Sequence, residues 1–203
     1  MPTFGEYYRD LGYSLEGLVI DGSLQREVEH TFYAEVKDLA EIKKKAIRVE
    51  RHEQWKIPVE QDRVDGKMRI RLIDNQRATM CTKITYPSMV GCDEVEQDIT
   101  MDMFNSLRKM AEDGYIKTRY TIPTNVPKLY WEVDVFLGNG GMEHPWVKID
   151  LEVKSLSDPI PAFPFDLSEV IYPDEDLGWS SKNKIKSLWE KEWQKMDVTV
   201  PVA

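Results

Sequence analysis

A chain of 203 residues is long enough to bury a sizeable hydrophobic core and fits one domain, or one domain with an appended tail. Hydrophobic residues make up 41% of it and charged residues 31%, a balance typical of a soluble globular protein, and we find neither a signal peptide nor a membrane-spanning run of about 18 apolar residues. The net charge of −9 argues against general binding to nucleic acid, because no surplus of lysine and arginine is available to neutralise phosphates.

The first half of the sequence predicts an N-terminal arm, one helix and four strands. Residues 1–24, in which four glycines stand among aromatic residues, are expected to form the arm. A helix is expected over residues 36–45, where apolar residues recur at roughly helical spacing and three lysines end the element. Strand-like segments, the last two joined by a short polar turn, predict strands over 25–34, 47–57, 67–74 and 77–86.

The second half predicts a helix, three strands and a C-terminal helix. Residues 99–113 carry apolar side chains at helical spacing, and Gly114 is placed to end that helix. Four prolines make residues 156–178 an expected extended and irregular stretch, and an amphipathic helix over 180–196 is expected to cover the body. The predicted strands of this half are 115–122, 129–137 and 146–154, with a glycine-rich turn between the last two.

Five strand-like segments carry like charges two residues apart. Side chains alternate between the two faces of a strand, so each charged pair shares one face, and in three segments the opposite face is apolar. Strands of this kind are expected to form a closed barrel with a polar interior. The alternative is cross-strand salt bridges on a solvated sheet face, each worth under about 1 kcal/mol. The pairs are Glu27/Glu29, Arg69/Arg71, Lys117/Arg119, Glu132/Asp134 and Asp150/Glu152.

The chemistry of these pairs points to a ligand with several phosphates. Clustered carboxylates without histidine or cysteine partners suit a hard cation such as Mg²⁺ or Mn²⁺. Arginine and lysine on the facing strands suit phosphate oxygens. Glu94 and Glu96 repeat the spacing, and they either line the mouth of a tunnel or belong to a solvated loop or short edge strand. His30 is expected to pack outside the barrel, while His52 and His144 stand in polar contexts typical of a surface or loop.

Taken in order, these motifs resemble the CYTH family, also called the triphosphate tunnel metalloenzymes, over roughly residues 25–155. The family opens on an E-x-E-x-K strand, which here reads Glu27-Val28-Glu29-His30-Thr31. No single motif is specific, and the resemblance depends on their order and spacing. The later motifs are an R-x-R strand, a strand ending on lysine, a K-x-R strand, a strand with a central aspartate and a closing acidic pair, which match Arg69-Ile70-Arg71, Lys83, Lys117-Thr118-Arg119, Asp134 and Asp150-Leu151-Glu152.

The resemblance implies an α+β fold built on an eight-stranded antiparallel closed β-barrel, or tunnel, with flanking helices. The tunnel would span residues 25–155, between the arm of residues 1–24 and a segment of residues 156–203 packed on the barrel. Basic side chains would hold a triphosphate, and carboxylates would hold one or two Mg²⁺ or Mn²⁺ ions. The implied phosphate-binding residues are Arg69, Arg71, Lys83, Lys117 and Arg119; the implied catalytic residues are Glu27, Glu29 and Glu152; the implied metal ligands are these three with Asp134 and Asp150.

The expected activity is the metal-dependent hydrolysis of a triphosphate. Members of the family hydrolyse inorganic tripolyphosphate, thiamine triphosphate, nucleoside triphosphates or the 5′ triphosphate of RNA, and one branch cyclises ATP to cyclic AMP. A cyclase is therefore one alternative, and a non-catalytic triphosphate-binding module is another. The binding module is suggested by Thr31, which stands where the family has lysine and cannot supply a cationic contact unless Lys56 or Lys148 substitutes for it.

The expected partner is a small triphosphate-bearing molecule, with no long nucleic acid and no membrane. Either a monomer or a homodimer is compatible with the sequence. Cys81 and Cys92 lack metal-binding spacing and form no disulfide framework, which indicates a reducing, cytoplasmic setting.

Overall fold

The computed structural model describes residues 25–58, 65–85, 92–111 and 113–171. Within these ranges the chain has an α+β fold made mostly of antiparallel strands, as predicted. The predicted arm of residues 1–24 and helix of residues 180–196 lie outside the described residues. The elements are β1 Gln25–Glu27, β2 Glu29–Val36, α1 Leu39–Lys45, β3 Arg48–Ile57, β4 Asp65–Ile73, β5 Arg77–Thr85, β6 Cys92–Ile99, α2 Met101–Arg108, β7 Asp113–Pro123, β8 Tyr130–Leu137, β9 Glu143–Glu152 and β10 Leu167–Ile171.

The described strands form one ten-stranded sheet in the order β1-β6-β5-β4-β3-β7-β8-β9-β2-β10. The prediction of a closed eight-stranded barrel is therefore wrong in strand count and in closure. The seven strands predicted from the sequence become ten for three reasons. The first predicted strand is interrupted at Val28, β6 lies where the sequence left a loop and a strand both open, and the segment predicted to be irregular contributes β10. The alternation of residues in a sequence indicates which face of the sheet each side chain takes. It does not indicate where a strand ends or changes its pairing partner.

Val28 lies between β1 and β2, two strands that pair with different parts of the sheet. β1 pairs with β6, whereas β2, which begins one residue after Val28, pairs with β9. The backbone N–H of Val153 donates to the carbonyl of Val28 at 2.8 Å and extends the β2–β9 pairing to this point. Acidic residues from sequence-distant strands are thereby brought together, because Glu29 stands opposite Glu152, and Glu27 and Glu94 both contact Lys83.

The hydrophobic core lies on the face of the sheet opposite the charged side chains. In β8, Trp131, Val133 and Val135 are fully buried in the larger cluster, while the residues between them point to the charged face. Helix α1 packs on this cluster through Ile42, and its N-cap Asp38 accepts a hydrogen bond from the backbone N–H of Ala40 at 2.8 Å. A smaller cluster lies under α2, where Phe104 is 1% exposed.

Helix α2 ends earlier than the sequence predicts, at Arg108 rather than near residue 113. Gly114 does not end the helix: it lies inside β7 opposite Trp55, and an added Cβ would come within 2.4 Å of the Trp55 ring. A glycine is required here because the indole of Trp55 approaches the backbone so closely. The guanidinium of Arg108 lies over the same indole, 4.7 Å from the ring centroid. Among the described residues, no helix is long and apolar enough to cross a membrane.

Candidate functional site

A cavity of 540 Å³ opens on the charged face of the sheet. Side chains from eight strands, β1 and β3 to β9, line this cavity, and nearly all of them are polar. Such a wall suits a highly charged ligand, because it offers hydrogen-bond donors and acceptors instead of apolar contact area. The lining residues are Glu27, Arg48, Glu50, His52, Arg69, Arg71, Ile73, Arg77, Glu94, Glu96, Arg119, Thr121, Glu132 and Glu152.

Five of the predicted site residues line this cavity, and the others lie in the ion pairs beside it. The lining set contains two of the predicted catalytic carboxylates and three of the predicted phosphate-binding arginines: Glu27, Glu152, Arg69, Arg71 and Arg119. The predicted residues outside the lining set are Glu29, Lys83, Lys117, Asp134 and Asp150, and all five contact or face oppositely charged groups on the same face of the sheet.

Asp134 is held by two cations of the neighbouring strand. Its carboxylate accepts hydrogen bonds from Nε and Nη2 of Arg119 at 2.7 and 2.8 Å, and it also pairs with the ammonium of Lys117. Although burial opposes it, the charges of Arg119 and Lys117 hold the pKa of Asp134 well below its usual range. Burial, with the charge of Arg119, holds the pKa of Lys117 well below its usual range.

Asp150 lies in a second ion-paired group, beside Thr31. The hydroxyl of Thr31 donates to Oδ1 of Asp150 at 2.8 Å, and Nζ of Lys148 contacts Oδ2 of the same carboxylate at 2.5 Å. Lys148 also lowers the pKa of Glu29, and it is itself held charged by Asp150 and Glu29 against the effect of burial. A lysine ammonium therefore stands next to Thr31, on the strand opposite.

Glu27 and Glu94 lie near each other at the β1–β6 junction, and each shifts the pKa of the other. Burial, and a hydrogen bond with Glu94, raise the pKa of Glu27 to about 7. Burial works against ionisation of Glu94, but the hydrogen bond from Glu27 and the charges of Lys83 and Arg69 hold the pKa of Glu94 well below its usual value. Nζ of Lys83 contacts both carboxylates, at 2.9 Å for Glu94. The two acids titrate as a pair.

Glu94 and Glu96 form a cluster with Cys81 that could hold a cation. One ligand atom from each of the three residues lies within 4.8 Å of the others. Burial raises the pKa of Cys81 to about 12, so the thiol stays protonated at neutral pH and donates to Oε1 of Glu94 at 2.8 Å. The oxygen ligands of this cluster are therefore the two carboxylates, a donor set that suits Mg²⁺ or Mn²⁺ better than a thiophilic metal.

The sequence leaves the position of some of these residues open, misplaces others and misses a few. Glu94 and Glu96 lie on a strand inside the sheet, which excludes the alternatives of a solvated loop or an edge strand. His52 was expected at a surface or loop but is 2% exposed in the cavity wall, and His144 is 1% exposed. Arg48, Glu50 and His52 also stand two residues apart along β3, but they differ in charge and so give no like-charge pair in the sequence.

Two arginines of β4 have hydrogen-bonding capacity to spare. Arg69 contacts Glu94 at 3.3 Å and Arg71 contacts Glu96 at 3.4 Å, each through one terminal nitrogen. The Nε atoms of both are buried and have no hydrogen-bond partner among the described residues. Buried donors without partners cost free energy, about 1–3 kcal/mol each, which an anion bound in the cavity would recover.

This chain is similar to several solved protein structures. No family model and no curated protein matches the sequence. A protein of Pyrococcus horikoshii OT3 matches at 18% identity and a TM-score of 0.45, covering 63% of this chain and 80% of its own. A candidate adenylyl cyclase from Hippeastrum, described as having a dominant triphosphatase activity, matches at 12% identity and a TM-score of 0.45, covering 85% and 88%.

A third match is a candidate adenylate cyclase from Bacillus halodurans, at 14% identity and a TM-score of 0.40, covering 65% of this chain and 82% of its own. All three matches have sequence identities of 18% or less. With TM-scores below 0.5, they carry no argument about what this chain binds or catalyses.

Proposed function

We propose that this chain binds a triphosphate in the charged cavity and hydrolyses it with the help of a divalent cation. The observation that carries the proposal is the pair of arginines on β4, Arg69 and Arg71, which line the cavity beside Arg119 and whose buried Nε atoms have no hydrogen-bond partner among the described residues. Guanidinium groups bind phosphate oxygens in a bidentate manner, and three of them in one wall offset the charge of a polyphosphate chain.

The carboxylates of the cavity fit a hard cation. Glu94 and Glu96 would hold it together with Glu27 and Glu152, because all four line the cavity and offer oxygen ligands. When bound, the cation would acidify a water and offset charge on the phosphate oxygens. The predicted ligands Glu29, Asp134 and Asp150 belong to the same proposal but do not line the cavity. Like Glu27, Glu94 and Glu96, they face lysine or arginine and would have to exchange that partner for the ion.

The proposed roles of the remaining residues follow from their charges. Arg69, Arg71 and Arg119 would bind the phosphates from the cavity wall, while Lys83 and Lys117 would keep the neighbouring carboxylates in position through their ion pairs. The substrate would be inorganic tripolyphosphate or an organic triphosphate. We extend the proposal to a small-molecule partner without nucleic acid or membrane, and to action in the cytoplasm.

A non-catalytic triphosphate-binding module is the second candidate, because Thr31 offers no cation. Lys148 weakens this candidate, since its ammonium stands beside Thr31 through their shared partner Asp150. Lys56, the other lysine considered as a substitute, is exposed on β3. A cyclase remains an alternative that product analysis separates from a hydrolase.

The proposal is tested by measuring phosphate release from tripolyphosphate, ATP, GTP and thiamine triphosphate with Mg²⁺ and with Mn²⁺, while nucleotide products are separated by chromatography. We expect phosphate release that Glu29→Gln reduces at least ten-fold. Glu143→Gln is the matched control, because Glu143 contacts Lys43 at 2.6 Å outside the cavity. Binding without turnover by the folded protein would favour the binding module, and cyclic nucleotide with pyrophosphate would favour the cyclase.

A further inference from the structure

His52 lines the cavity as a buried side chain. The imidazole is 2% exposed, and neither Nδ1 nor Nε2 has a hydrogen-bond partner among the described residues. The nearest carboxylate oxygen, Oε2 of Glu50, lies 3.7 Å from Nε2, which is beyond hydrogen-bonding distance. Glu50 is instead engaged by Arg48 at 2.5 Å. Buried polar groups are nearly always hydrogen-bonded, so two unused nitrogens in a cavity wall are available to a bound ligand or water.

The surroundings of His52 are mostly cationic. Arg71 faces it from β4, and Lys117 and Arg119 face it from β7; the acidic groups nearby are Glu50 on its own strand and Asp134 on β8. Burial, together with the charges of Lys117 and Arg71, lowers the pKa of His52 to about 2. The ring is therefore neutral at physiological pH, with one N–H donor and one acceptor nitrogen.

We propose that His52 is a binding residue for the triphosphate, and that the N–H of its neutral imidazole donates to a phosphate oxygen. The inference rests on the proposed function and adds a residue to it. Arg71 and Arg119 line the same cavity, so a phosphate chain held by these guanidinium groups would pass the histidine. A neutral donor fixes the position of an oxygen without adding charge to a wall that already holds several cations.

The described residues give the nitrogens of His52 no hydrogen bond, so a structural role for this ring would rest on its packing alone. His144 provides the contrast: it is equally buried, but it does not line the cavity and its Nδ1 accepts from the backbone N–H of Trp146 at 3.4 Å. The proposal therefore predicts different effects of ligand binding at the two buried histidines. Ligand should perturb the ring of His52 and leave that of His144 unchanged.

The experiment is NMR of the ring nitrogens in protein labelled with ¹⁵N-histidine, which has three histidines in all. The probe is the non-hydrolysable imido analogue of tripolyphosphate with Mg²⁺, and calorimetry first measures its binding to the wild type. We expect one set of ring signals, absent from His52→Gln, to shift on binding. Binding without any shift of these signals overturns the role of His52 and leaves the proposed function standing, whereas no binding to the wild type overturns both.

Affinity measurements provide a second readout. His52→Leu removes the hydrogen bond and should weaken binding about ten-fold or more, while His52→Gln, which keeps a neutral donor and acceptor, should stay within about five-fold of the wild type. His144→Gln is the matched control and should bind as the wild type does. If His52→Leu does not fold, the ring signals of the wild type decide the question. An affinity of folded His52→Leu equal to that of the wild type would contradict the proposal.

Discussion

The carboxylate of Asp134 accepts two hydrogen bonds from the guanidinium of Arg119, at 2.7 and 2.8 Å, across the paired strands β7 and β8. The side chain of Asp134 is 0% exposed and that of Arg119 is 15% exposed, so water contributes little to the screening of either charge. Lys117 pairs with the same carboxylate, so Asp134 bridges two basic side chains, while Arg119 also contacts Glu132. The register of β7 against β8 places all three side chains on one face.

Asp134→Asn should destabilise the fold strongly. Removing one partner of a buried ion pair leaves the other charge uncompensated, which costs about 3–5 kcal/mol. The measurement is the free energy of unfolding in urea. The control is Asp98→Asn, because Asp98 pairs with Arg77 at 2.7 Å but is 69% exposed. We expect less than about 1 kcal/mol for that surface pair, and similar losses in the two variants would contradict the role given to burial.

Arg69→Ala should weaken binding of tripolyphosphate without a comparable loss of stability. A hydrogen bond to a charged group is worth about 1.5–3 kcal/mol, which corresponds to a loss of about 10- to 150-fold in affinity. Glu94 keeps Lys83 at 2.9 Å and the Cys81 thiol at 2.8 Å, so the truncation does not leave this carboxylate without a partner.

Calorimetry at constant ionic strength measures the affinity. Arg51→Ala is the matched control, because Arg51 lies on β3 but does not line the cavity. Arg69→Lys should fall between the wild type and Arg69→Ala, since an ammonium keeps the charge and loses the planar fork. An affinity of Arg69→Ala equal to that of Arg51→Ala would show that β4 does not bind the phosphates.

The charged face was largely predictable from sequence because it depends on a local rule. In β8, Glu132 and Asp134 alternate with buried Trp131, Val133 and Val135, so a two-residue period assigned each face correctly. His52 follows the same alternation in β3, but a lone histidine in a polar context carries no sign of burial, and its burial depends on β4 and β7 packing beside it.

The ends of elements were harder to predict, because tertiary contacts decide them. Gly114 has the sequence signature of a helix stop, yet its position is explained by Trp55, 59 residues earlier in the chain and opposite it in the sheet. The break at Val28 likewise depends on two different partners, β6 before it and β9 after it. No local pattern encodes a pairing partner that lies more than 60 residues away.

Gly114→Ala should destabilise the protein by overpacking. The new methyl would lie 2.4 Å from Cε3 of Trp55, so the indole has to move, at a cost of about 1–3 kcal/mol. A double-mutant cycle checks the cause: in a Trp55→Leu background, the smaller side chain should remove most of the penalty. Thermal or urea unfolding gives the four free energies. A full penalty in both backgrounds would place the strain elsewhere than at Trp55.

Cys81 and Cys92 should react slowly with a thiol reagent in the folded protein. Burial raises the pKa of each thiol to about 12, and each donates to a carboxylate, Glu94 at 2.8 Å and Glu27 at 3.3 Å. Thiolate is the reactive form, so at pH 8 both residues are almost entirely unreactive. Modification followed by absorbance should be slow in buffer and fast in denaturant. Rapid modification of either thiol in buffer would contradict this environment.

His144 should make the protein less stable as the pH falls from 6.5 to 4. Burial lowers the pKa of His144 to about 4, whereas the imidazole in the unfolded chain titrates near 6.5. The unfolded state therefore binds a proton first, so the stability that this group contributes is fully present above pH 6.5 and is lost as the pH falls through this window. The loss attributable to His144 is of the order of 1–3 kcal/mol.

The measurement compares the free energy of unfolding of the wild type and of His144→Gln at several pH values. Other groups titrate in the same range, but they are common to both proteins, so the difference between the two curves isolates His144. That difference should be constant above pH 7 and should shift in favour of the variant by pH 4, because glutamine cannot take up the proton. A difference that does not change with pH would mean that the imidazole accepts its proton in the folded state as readily as in the unfolded chain.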